Sequence, residues 1–544
     1  MDLSSCNGSK GRRVALSAAA LAVLALSASS ALAISQSGEQ KNMRRVGHVD
    51  LQGRSAYQPN TIVYPDGRTI AFVGTHNGTR PNPLKGGVVE QNGTMIIDVT
   101  DPENPKEKSH IAGTGGDSQM VRMCLGKNLP QGIPGNVYLL RNFNTGYETW
   151  DVTDVSAPVK LATFPGIRNT HKLWWECNTG IAYMPGSRTA DKWKQGQSML
   201  IVDWKNPAAP PIYLRTHGLP GGQPSGTGPV PTSLHGPISS HEHPNAAVKL
   251  TRAVTDNDVI GNRIYAAYGV GDDGVMQILD RQKLLPPPYG TFSGDANNPT
   301  DAQLLAPQVG VFYTSPDQGG HTSMPVFGMK APSYQSFNEF QTRDIVLLAS
   351  EATSNQCQEA PHWSFVVDVT VENSMTAPPG TRVEPNPWQG PMLLSTMSVD
   401  PRAGEKYPRG NYCTRGARFG VHSSEENFKN PYYGRLTFLA YFTGGTRVWD
   451  IREPQEPVEV GFYVPVNNAN TVQQCATING QQVCKISYMT NNVEVDNRGF
   501  IYATDRSGSG LDIYKLTGKA RSIGLGKEGH GDDDEDDDDH GHRD

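Results

Sequence analysis

A four-residue phrase, three mostly apolar residues followed by an aspartate, recurs along the chain and constrains its fold more than any other feature. Copies end at Asp98, Asp151, Asp203, Asp280, Asp368 and Asp450, with a weaker copy at Asp512. Successive aspartates lie 52 to 88 residues apart. Self-similarity on this scale indicates repeated structural units. We therefore predict seven units of about fifty residues, with insertions in the middle ones.

The residues around each copy follow a β-strand pattern. Short runs rich in Val, Ile, Tyr and Phe are bounded by Gly, Pro, Asn and Asp, which is typical of strands and turns. The sixth unit shows four such runs, at residues 417–422, 436–442, 446–451 and 458–464. Because proline fixes φ and aspartate can hydrogen-bond the nearby backbone, we interpret the recurring aspartate as a turn residue. A ring of seven functional carboxylates is the alternative.

Four-stranded units in this number close radially into a β-propeller, whereas a linear solenoid would leave exposed edges. The seventh unit lacks a fourth strand, but residues 46–51 resemble the fourth-strand phrases at 458–464 and 158–164. We therefore predict an all-β, seven-bladed β-propeller over residues 44–518. Its N-terminal strand should pair with residues 510–516 and close the last blade.

These phrases, and Leu200-Ile201-Val202-Asp203 in particular, resemble the repeats of LVIVD-repeat proteins, exported or surface β-propellers of bacteria and archaea. The resemblance covers roughly residues 44–518, and the seventh unit fits it least well. The resemblance implies the fold but says very little about activity, because the family's repeats define blades and its members mostly lack an assigned reaction.

The two ends of the chain differ from the repeats. Residues 1–33 carry Lys10, Arg12 and Arg13 before an apolar run and end in Ala31-Leu32-Ala33, which predicts a secretory signal and a periplasmic or extracellular protein. Arg12-Arg13 leaves a twin-arginine route as an alternative. No later stretch is apolar enough to predict a transmembrane segment. The acidic, histidine-containing residues 529–544 are expected to be disordered, with loose cation binding as an alternative role.

Charge narrows the class of partner. The whole chain has a formal net charge of −6, and most of this comes from the acidic tail. A body near neutrality argues against nucleic acid, because phosphate binding requires concentrated Lys and Arg. The partners that remain are a protein, a surface component or a small ligand.

Cysteine usage predicts disulfides. Cys6 leaves with the predicted signal, and the six remaining cysteines form an even number in an oxidising setting. Cys475 and Cys484 flank Asn479-Gly480, a sequence that favours a tight hairpin turn, so we predict that they pair. Cys124, Cys177, Cys357 and Cys413 can pair in three ways, and the sequence leaves the choice open.

Several histidines are predicted at or near the start of the innermost strands of successive blades. They are His171, His243 with its neighbour His241, His321 and His422. Inner strands line the channel of a propeller, so these rings should converge at one mouth, near Glu176, Glu242, Glu351 or Glu425. Converging imidazoles suit copper, iron or zinc. The alternative is a duplicated polar residue that hydrogen-bonds neighbouring loops. His76 and His362 lie later in their blades and fit less well.

No hydrolase elbow, phosphate-binding loop or dinucleotide fingerprint is present. Tryptophans such as Trp174, Trp175, Trp363 and Trp449 are interpreted as packing between blades rather than as a sugar platform. Insertions at residues 218–237, 286–318 and 373–410 would cap the channel if they project from one face.

Two functions follow from these patterns. One is an exported propeller that binds a partner through its loops and channel mouth. The other is a metal-dependent periplasmic oxidoreductase that uses the four predicted histidines. Its architecture would be similar to that of selenium-binding-protein-type methanethiol oxidases, although their motifs do not align here.

Overall fold

The structure is a computed structural model and describes residues 38–253, 255–271, 273–330, 341–372 and 390–527. The predicted signal at residues 1–33 and the acidic tail at 529–544 lie outside the described residues. Within the described ranges, no helix combines the length and apolar character needed to cross a bilayer.

The described strands form seven four-stranded antiparallel units, which we number as blades 1 to 7. In each blade an inner, a second, a third and an outer strand follow one another across the sheet. Their bounds are Ala56–Val63, Thr69–Thr75, Thr94–Asp98 and Lys106–Ile111 in blade 1; Val121–Leu125, Val137–Phe143, Gly146–Asp151 and Val159–Pro165 in blade 2; Trp174–Trp175, Ile181–Arg188, Ser198–Asp203 and Ile212–His217 in blade 3; Leu234–Ser239, Arg263–Tyr268, Val275–Asp280 and Gln308–Tyr313 in blade 4; Thr322–Lys330, Thr342–Ala349, Ser364–Asp368 and Met392–Met397 in blade 5; Phe419–Ser424, Leu436–Phe442, Thr446–Asp450 and Val458–Val464 in blade 6; Thr490–Val495, Ile501–Asp505, Leu511–Leu516 and Met43–Val49 in blade 7.

Smaller elements decorate the blades. Two hairpins, a short strand, two α-helices and six 3-10 turns lie between the blade strands of the described chain, and a third α-helix follows the last of these strands. They are Thr79–Asn82 with Val88–Gln91 and Gln473–Ile478 with Gln481–Ile486; Ile167–Arg168; Arg281–Leu284, Asp301–Leu305 and Gly518–Gly524; and Leu51–Gly53, Pro83–Lys85, Ser240–Glu242, Ile260–Asn262, Pro401–Lys406 and Tyr412–Thr414.

The blades close into a ring. Each inner strand contacts the inner strand of the next blade, and the inner strand of blade 7 contacts that of blade 1. The predicted closure by the N-terminal strand is confirmed, with Met43 opposite Leu516 and Val49 opposite Leu511. This strand ends at Val49 rather than at residue 51, because the chain then enters a 3-10 turn. A further strand, Glu39–Lys41, pairs with the outer strand of blade 6, so the N-terminal segment ties two blades together.

The recurring aspartates are turn residues, as predicted. In five copies the side chain accepts a hydrogen bond from the backbone N–H two residues later: Asp98 from Thr100, Asp151 from Thr153, Asp203 from Lys205, Asp368 from Thr370 and Asp450 from Arg452. In blades 1 to 6 the pairing of the third with the outer strand also shifts just before the aspartate. Asp512 differs, because its carboxylate pairs with His48 and Arg45 of the closing strand.

Apolar layers between neighbouring blades form the core. Between blades 2 and 3, for example, Leu140 and Tyr147 pack with Trp175 and Leu200. Full burial of one such aliphatic or aromatic side chain contributes roughly 1.5–3 kcal/mol. The tryptophans have the predicted packing role, since Trp174, Trp175 and Trp449 are buried in these layers and Trp363 packs at the edge of one.

Three disulfides are present in the described chain. Cys475 and Cys484 bond as predicted and lie directly opposite each other in their hairpin. Asn479 and Gly480 turn that hairpin with φ of 50° and 78°, the left-handed conformation that Asn and Gly tolerate best. The four cysteines left open pair as Cys124–Cys177, which joins blades 2 and 3, and Cys357–Cys413, which joins loops of blades 5 and 6.

The alternation of strand direction assigns every loop to one end of the channel. Inner strands begin at one end, which we call the histidine mouth, and end at the opposite mouth. Residues 218–233 and 398–418 enter blades 4 and 6 at the histidine mouth. Residues 286–307, which join the third and outer strands of blade 4, lie toward the opposite mouth, so the insertions do not project from one face. Residues 373–389 lie outside the described residues.

Candidate metal centre

Four imidazoles from blades 3 to 6 form a row at the histidine mouth. The ring centroids of His171 and His235 are 4.1 Å apart, those of His235 and His321 4.0 Å, and those of His321 and His422 4.1 Å. His235, His321 and His422 are at most 3% exposed, and His171 is partly exposed. We call these four residues the histidine cluster.

Each member lies at or close to the start of an inner strand, which is why the ring of blades brings them together. His171 and His321 precede the inner strands of blades 3 and 5, and His235 is the second residue of that of blade 4. His422 lies further along its strand, where the pairing of blade 6 is irregular between Phe419 and Ser423. The convergence predicted for His171, His321 and His422 is therefore observed.

The predicted position of His243 is wrong. The inner strand of blade 4 is Leu234–Ser239, so His241 and His243 follow its end and lie at the opposite mouth. The ring of His243 packs there against Phe327, Phe428 and Tyr433, with centroids 5.2–5.4 Å away. His235 takes its place in the cluster. Gly236 and Pro237 lie inside this strand, and they made the segment resemble a loop.

One carboxylate faces the cluster. Glu351 follows the second strand of blade 5, and its Oε2 lies 3.8 Å from His235 Nε2 while its Oε1 lies 3.6 Å from His422 Nε2. Ligand atoms of His235, His321 and Glu351 all lie within 4.8 Å of one another. The other carboxylates predicted nearby, Glu176, Glu242 and Glu425, follow the ends of inner strands and belong to the opposite mouth.

Hydrogen bonds orient two of the rings. His171 Nδ1 donates to the backbone carbonyl of His235 at 3.0 Å, and His422 Nδ1 donates to that of Asn491. Each Nε2 then retains a lone pair. Metal-binding histidines usually have this arrangement, in which one nitrogen is held by a hydrogen bond and the other is free to ligate.

Several nitrogens of the cluster have no hydrogen-bond partner among the described residues. Both ring nitrogens of His235 and the Nε2 of His422 are buried in this state. An unsatisfied buried polar group costs about 1–3 kcal/mol. A metal ion that accepts one lone pair from each ring would remove part of that cost.

The cluster is held in the neutral form. Burial lowers the pKa of His171 to about 4 and lowers those of His235, His321 and His422 well below their usual range. Neighbouring positive charges act in the same direction, with Arg506 affecting His422 and Lys172 affecting His235. Neutral imidazole is the form that binds metal.

Tyr57 and His76 border the cluster. Tyr57, at the start of the inner strand of blade 1, has its Oη 2.9 Å from His321 Nε2 and 3.4 Å from His171 Nε2. Its ring also meets His76 edge-on, with centroids 5.2 Å apart. Sequence reasoning missed Tyr57, although its place in blade 1 matches that of the histidines in blades 3 to 5. His362 lies outside the histidine cluster, and its Nδ1 is 2.8 Å from Ser350 Oγ.

An ion triad lies next to the cluster, since Lys172 follows His171 in the chain. Lys172 of blade 3 and Arg122 of blade 2 both pair with Glu426, which follows the inner strand of blade 6. Lys172 also donates to Thr322 Oγ1 at 3.0 Å. A recess of about 320 Å³ opens at the opposite mouth, with Arg122, Trp174, Glu242 and Glu494 in its wall. None of the four clustered imidazoles lines it, so the cluster and the recess are separate sites.

Comparisons with known proteins concern the fold alone. No family model matches the chain, and no curated protein matches it. The β-propeller domain of Cps50 (Swd1) from Myceliophteria thermophila is 10% identical with a TM-score of 0.39, over 87% of this chain and 99% of that one. The Dos1 propeller is 10% identical with a TM-score of 0.41, over 87% and 96%. A hydrazine synthase of Kuenenia stuttgartiensis is 9% identical with a TM-score of 0.42, over 87% and 97%. The ring of blades described above places this chain in the same class, the β-propellers.

Proposed function

We propose that this β-propeller binds one transition-metal ion at the histidine mouth. His235, His321 and Glu351 would be its ligands, with His171 and His422 placed to complete or replace them. The observation that carries the proposal is the convergence of three buried ligand atoms within 4.8 Å of one another, beside imidazole nitrogens that lack any partner in the described chain.

The donor set agrees with copper, zinc or iron. These ions accept neutral imidazole together with carboxylate, whereas calcium and magnesium prefer oxygen ligands alone. Two donors each about 2.1 Å from an ion lie at most about 4.2 Å apart. The observed limit of 4.8 Å therefore requires only a small inward movement of the side chains.

The identity of the ion separates the two functions predicted from the sequence. Copper or iron would make electron transfer available and would favour the oxidoreductase. Zinc would favour a binding or Lewis-acid role. Binding of a protein or surface component through the loops stays a prediction, since no described feature identifies a partner.

Export remains part of the proposal. Three disulfides in the described chain are expected in an oxidising compartment and are rare in the cytosol. This supports the secretory signal predicted at residues 1–33.

Elemental analysis of purified protein lacking residues 529–544 tests the metal site, because this deletion removes the tail histidines and carboxylates. We expect one transition-metal ion per chain. The double variant His235→Ala/His321→Ala should lose it, because two neutral ligands are removed. His243→Ala is the matched control and should keep the metal, since His243 lies at the opposite mouth.

Circular dichroism of each variant separates loss of a ligand from loss of the fold. A native-like protein that takes up none of Cu²⁺, Zn²⁺ or Co²⁺ would overturn the proposal. Equal metal content in the double variant and in the parent protein would do the same.

A further inference from the structure

Two glutamates border the recess of about 320 Å³ at the opposite mouth. Glu242 follows the inner strand of blade 4, and Glu494 is the last residue but one of the inner strand of blade 7. Blades 4 and 7 are three steps apart, the largest separation that a ring of seven blades allows. The two carboxylates therefore border the recess from opposite sides of the channel.

Neither carboxylate has a cationic partner. Within the described ranges neither forms a salt bridge, and the hydrogen bonds that they accept come from the backbone. Glu242 Oε1 accepts from the N–H of Cys177 at 2.9 Å, and Glu494 Oε1 accepts from that of Val495 at 3.0 Å. Glu494 is only 2% exposed. Buried carboxylates are usually paired with a cation, so these two groups are unusual.

The neighbouring charges of the wall are paired with one another. Arg122 in the wall and Lys172 beside it both pair with Glu426. Asp496 pairs with Arg498 at 2.8 Å. The ion triad is thus left with one positive charge in excess, and the second pair is balanced.

Two further groups complete the count of charges. Lys429 is exposed at the rim, and the buried Glu425 accepts hydrogen bonds from Thr437 Oγ1 and the N–H of Phe438. Together with the pairs above and the two unpaired glutamates, this gives five carboxylates against four cations. The recess therefore has no excess of positive charge that could balance both unpaired glutamates.

Burial raises the pKa of Glu242 to about 7 and that of Glu494 to about 8, although the charge of Arg122 acts in the opposite direction on both. The charge of Glu426 raises the pKa of Glu494 further. An ionised carboxylate is disfavoured where it loses solvation and has no cation in contact. A bound cation would supply the missing partner.

The cation that fits this recess is larger than a metal ion. Within the part of the chain that the structure describes, ligand atoms of three His, Cys, Asp or Glu residues come within 4.8 Å of one another only at the histidine mouth. The carboxylates of the recess therefore do not converge on one small ion. Apolar side chains also line the recess, among them Ile62, Met123 and Phe428. Its volume is at the lower end of the range for small organic ligands, roughly 300–1,000 Å³.

We propose that the recess binds an aliphatic diamine, with one ammonium group paired with Glu242, the other with Glu494, and the methylene chain against the apolar wall. Two ammonium groups at opposite ends of a chain match two carboxylates on opposite sides of the channel. This binding site is separate from the proposed metal site and shares no residue with it.

Calorimetric titration of the full chain with diamines of three to eight carbons tests this inference. At pH 8.5 both carboxyl groups are largely ionised, while alkylammonium groups, with a pKa of about 10.4 in lysine, stay charged. Salt at about 0.15 M screens binding to the exposed acidic tail. We expect one diamine per chain and an affinity that peaks at one chain length. A monoamine of that length should bind at least about 10-fold more weakly, since it makes one charged contact instead of two.

Glu242→Gln and Glu494→Gln should each weaken binding of the best diamine by about 10- to 100-fold, the range expected for loss of hydrogen bonds to a charged group. Each variant should also lose the preference for the diamine over the monoamine. Because glutamine keeps the acceptor oxygen for the backbone N–H, the fold should persist, and circular dichroism checks this.

Glu405→Gln is the control, because Glu405 is exposed on a 3-10 turn at the histidine mouth and should leave binding unchanged. The metal-site variant His235→Ala/His321→Ala should also keep diamine binding, so the two proposals fail independently. A parent protein that binds none of the diamines with a Kd below about 1 mM would overturn the diamine site. Equal diamine affinity in the parent protein and in both glutamine variants would do so as well, since the tail would then account for the binding.

Discussion

His217 is a buried imidazole that is held neutral, and it shows the consequence for stability away from the proposed metal site. It ends the outer strand of blade 3 and is fully buried. Its Nε2 lies 3.2 Å from Gln277 Oε1. Burial, and then the charge of Arg215, lower the pKa of His217 to about 3.

Stability should therefore fall as the pH drops below the pKa of an unfolded histidine, about 6.5. Above that pH neither state binds a proton at His217, whereas between about pH 6.5 and pH 3 only the unfolded chain does. Linkage then gives a loss of about 2 kcal/mol from this residue between pH 8 and pH 5. We expect His217→Gln to be less stable at pH 8 but to lose about 2 kcal/mol less on acidification.

Urea denaturation of metal-free protein at pH 8 and pH 5 measures this difference. The other buried histidines titrate equally in both proteins, so their contributions cancel. Parallel pH profiles for the two proteins would show that His217 is protonated in the folded state.

At the scale of elements, the loops of the histidine mouth are joined by a disulfide. Cys357 lies six residues after Glu351, and Cys413 lies five residues before Arg418. Their bond therefore links the segment that supplies the candidate carboxylate ligand to the segment that leads into His422. The bond between Cys475 and Cys484 instead closes a local hairpin with a sequence separation of 9.

The double variant Cys357→Ser/Cys413→Ser should lose both stability and metal affinity. Chain-entropy arguments give a stabilisation of about 4 kcal/mol for the bond between Cys357 and Cys413, which are 56 residues apart, and of about 3 kcal/mol for the bond in the short hairpin. The first bond lies in the ligand-bearing loop itself, whereas the second reaches that loop only through hydrogen bonds from Asn355, Gln356 and Gln358 to its hairpin. Metal retention should therefore fall further in the first variant. Competition with a chelator measures it, with Cys475→Ser/Cys484→Ser as control, and equal retention in both variants would contradict the expectation.

At the scale of the whole molecule, ring closure depends on how the N-terminal strand meets blade 1. The pairing of this strand shifts between Arg45 and Gly47. A Cβ on Gly47 would lie 2.0 Å from the carbonyl oxygen of Pro102, which belongs to the turn between the third and outer strands of blade 1. The last blade therefore packs on the first through backbone atoms, with no room for a side chain.

Gly47→Ala should lower the free energy of unfolding by about 1–3 kcal/mol, the usual cost of overpacking. The clash is with backbone, so it can be relieved only by moving one blade against the other. Gly135→Ala is the control, because no atom lies within 4 Å of its added Cβ and its φ is not in the left-handed region. Chemical denaturation compares the three proteins, and equal midpoints for Gly47→Ala and the parent protein would contradict the close packing.

The repeat phrases were sufficient to predict the fold class, the turn role of the aspartates and the closing strand. Asn479-Gly480 between Cys475 and Cys484 predicted the hairpin disulfide. Each prediction depends on a pattern within a few residues, or on a repeat that is visibly incomplete at one end of the chain. Local chemistry decides such features: alternating apolar residues make strands, and Asn-Gly makes a tight turn.

The candidate site depended on tertiary structure. The mouth at which a histidine lies is decided by where its inner strand begins. In blade 4 this strand begins at Leu234, so His235 belongs to the cluster in place of the predicted His243. Glu351 was one of four carboxylates expected near the histidines, and only the structure selected it. Tyr57 joined the cluster from blade 1 without having been predicted, and the pairing of the four other cysteines followed blade adjacency. The sequence by itself determined the repeating unit, because short-range patterns specify strands and turns. Only the closed ring decided which side chains meet, because the cluster is assembled from segments hundreds of residues apart, and no local pattern records that distance.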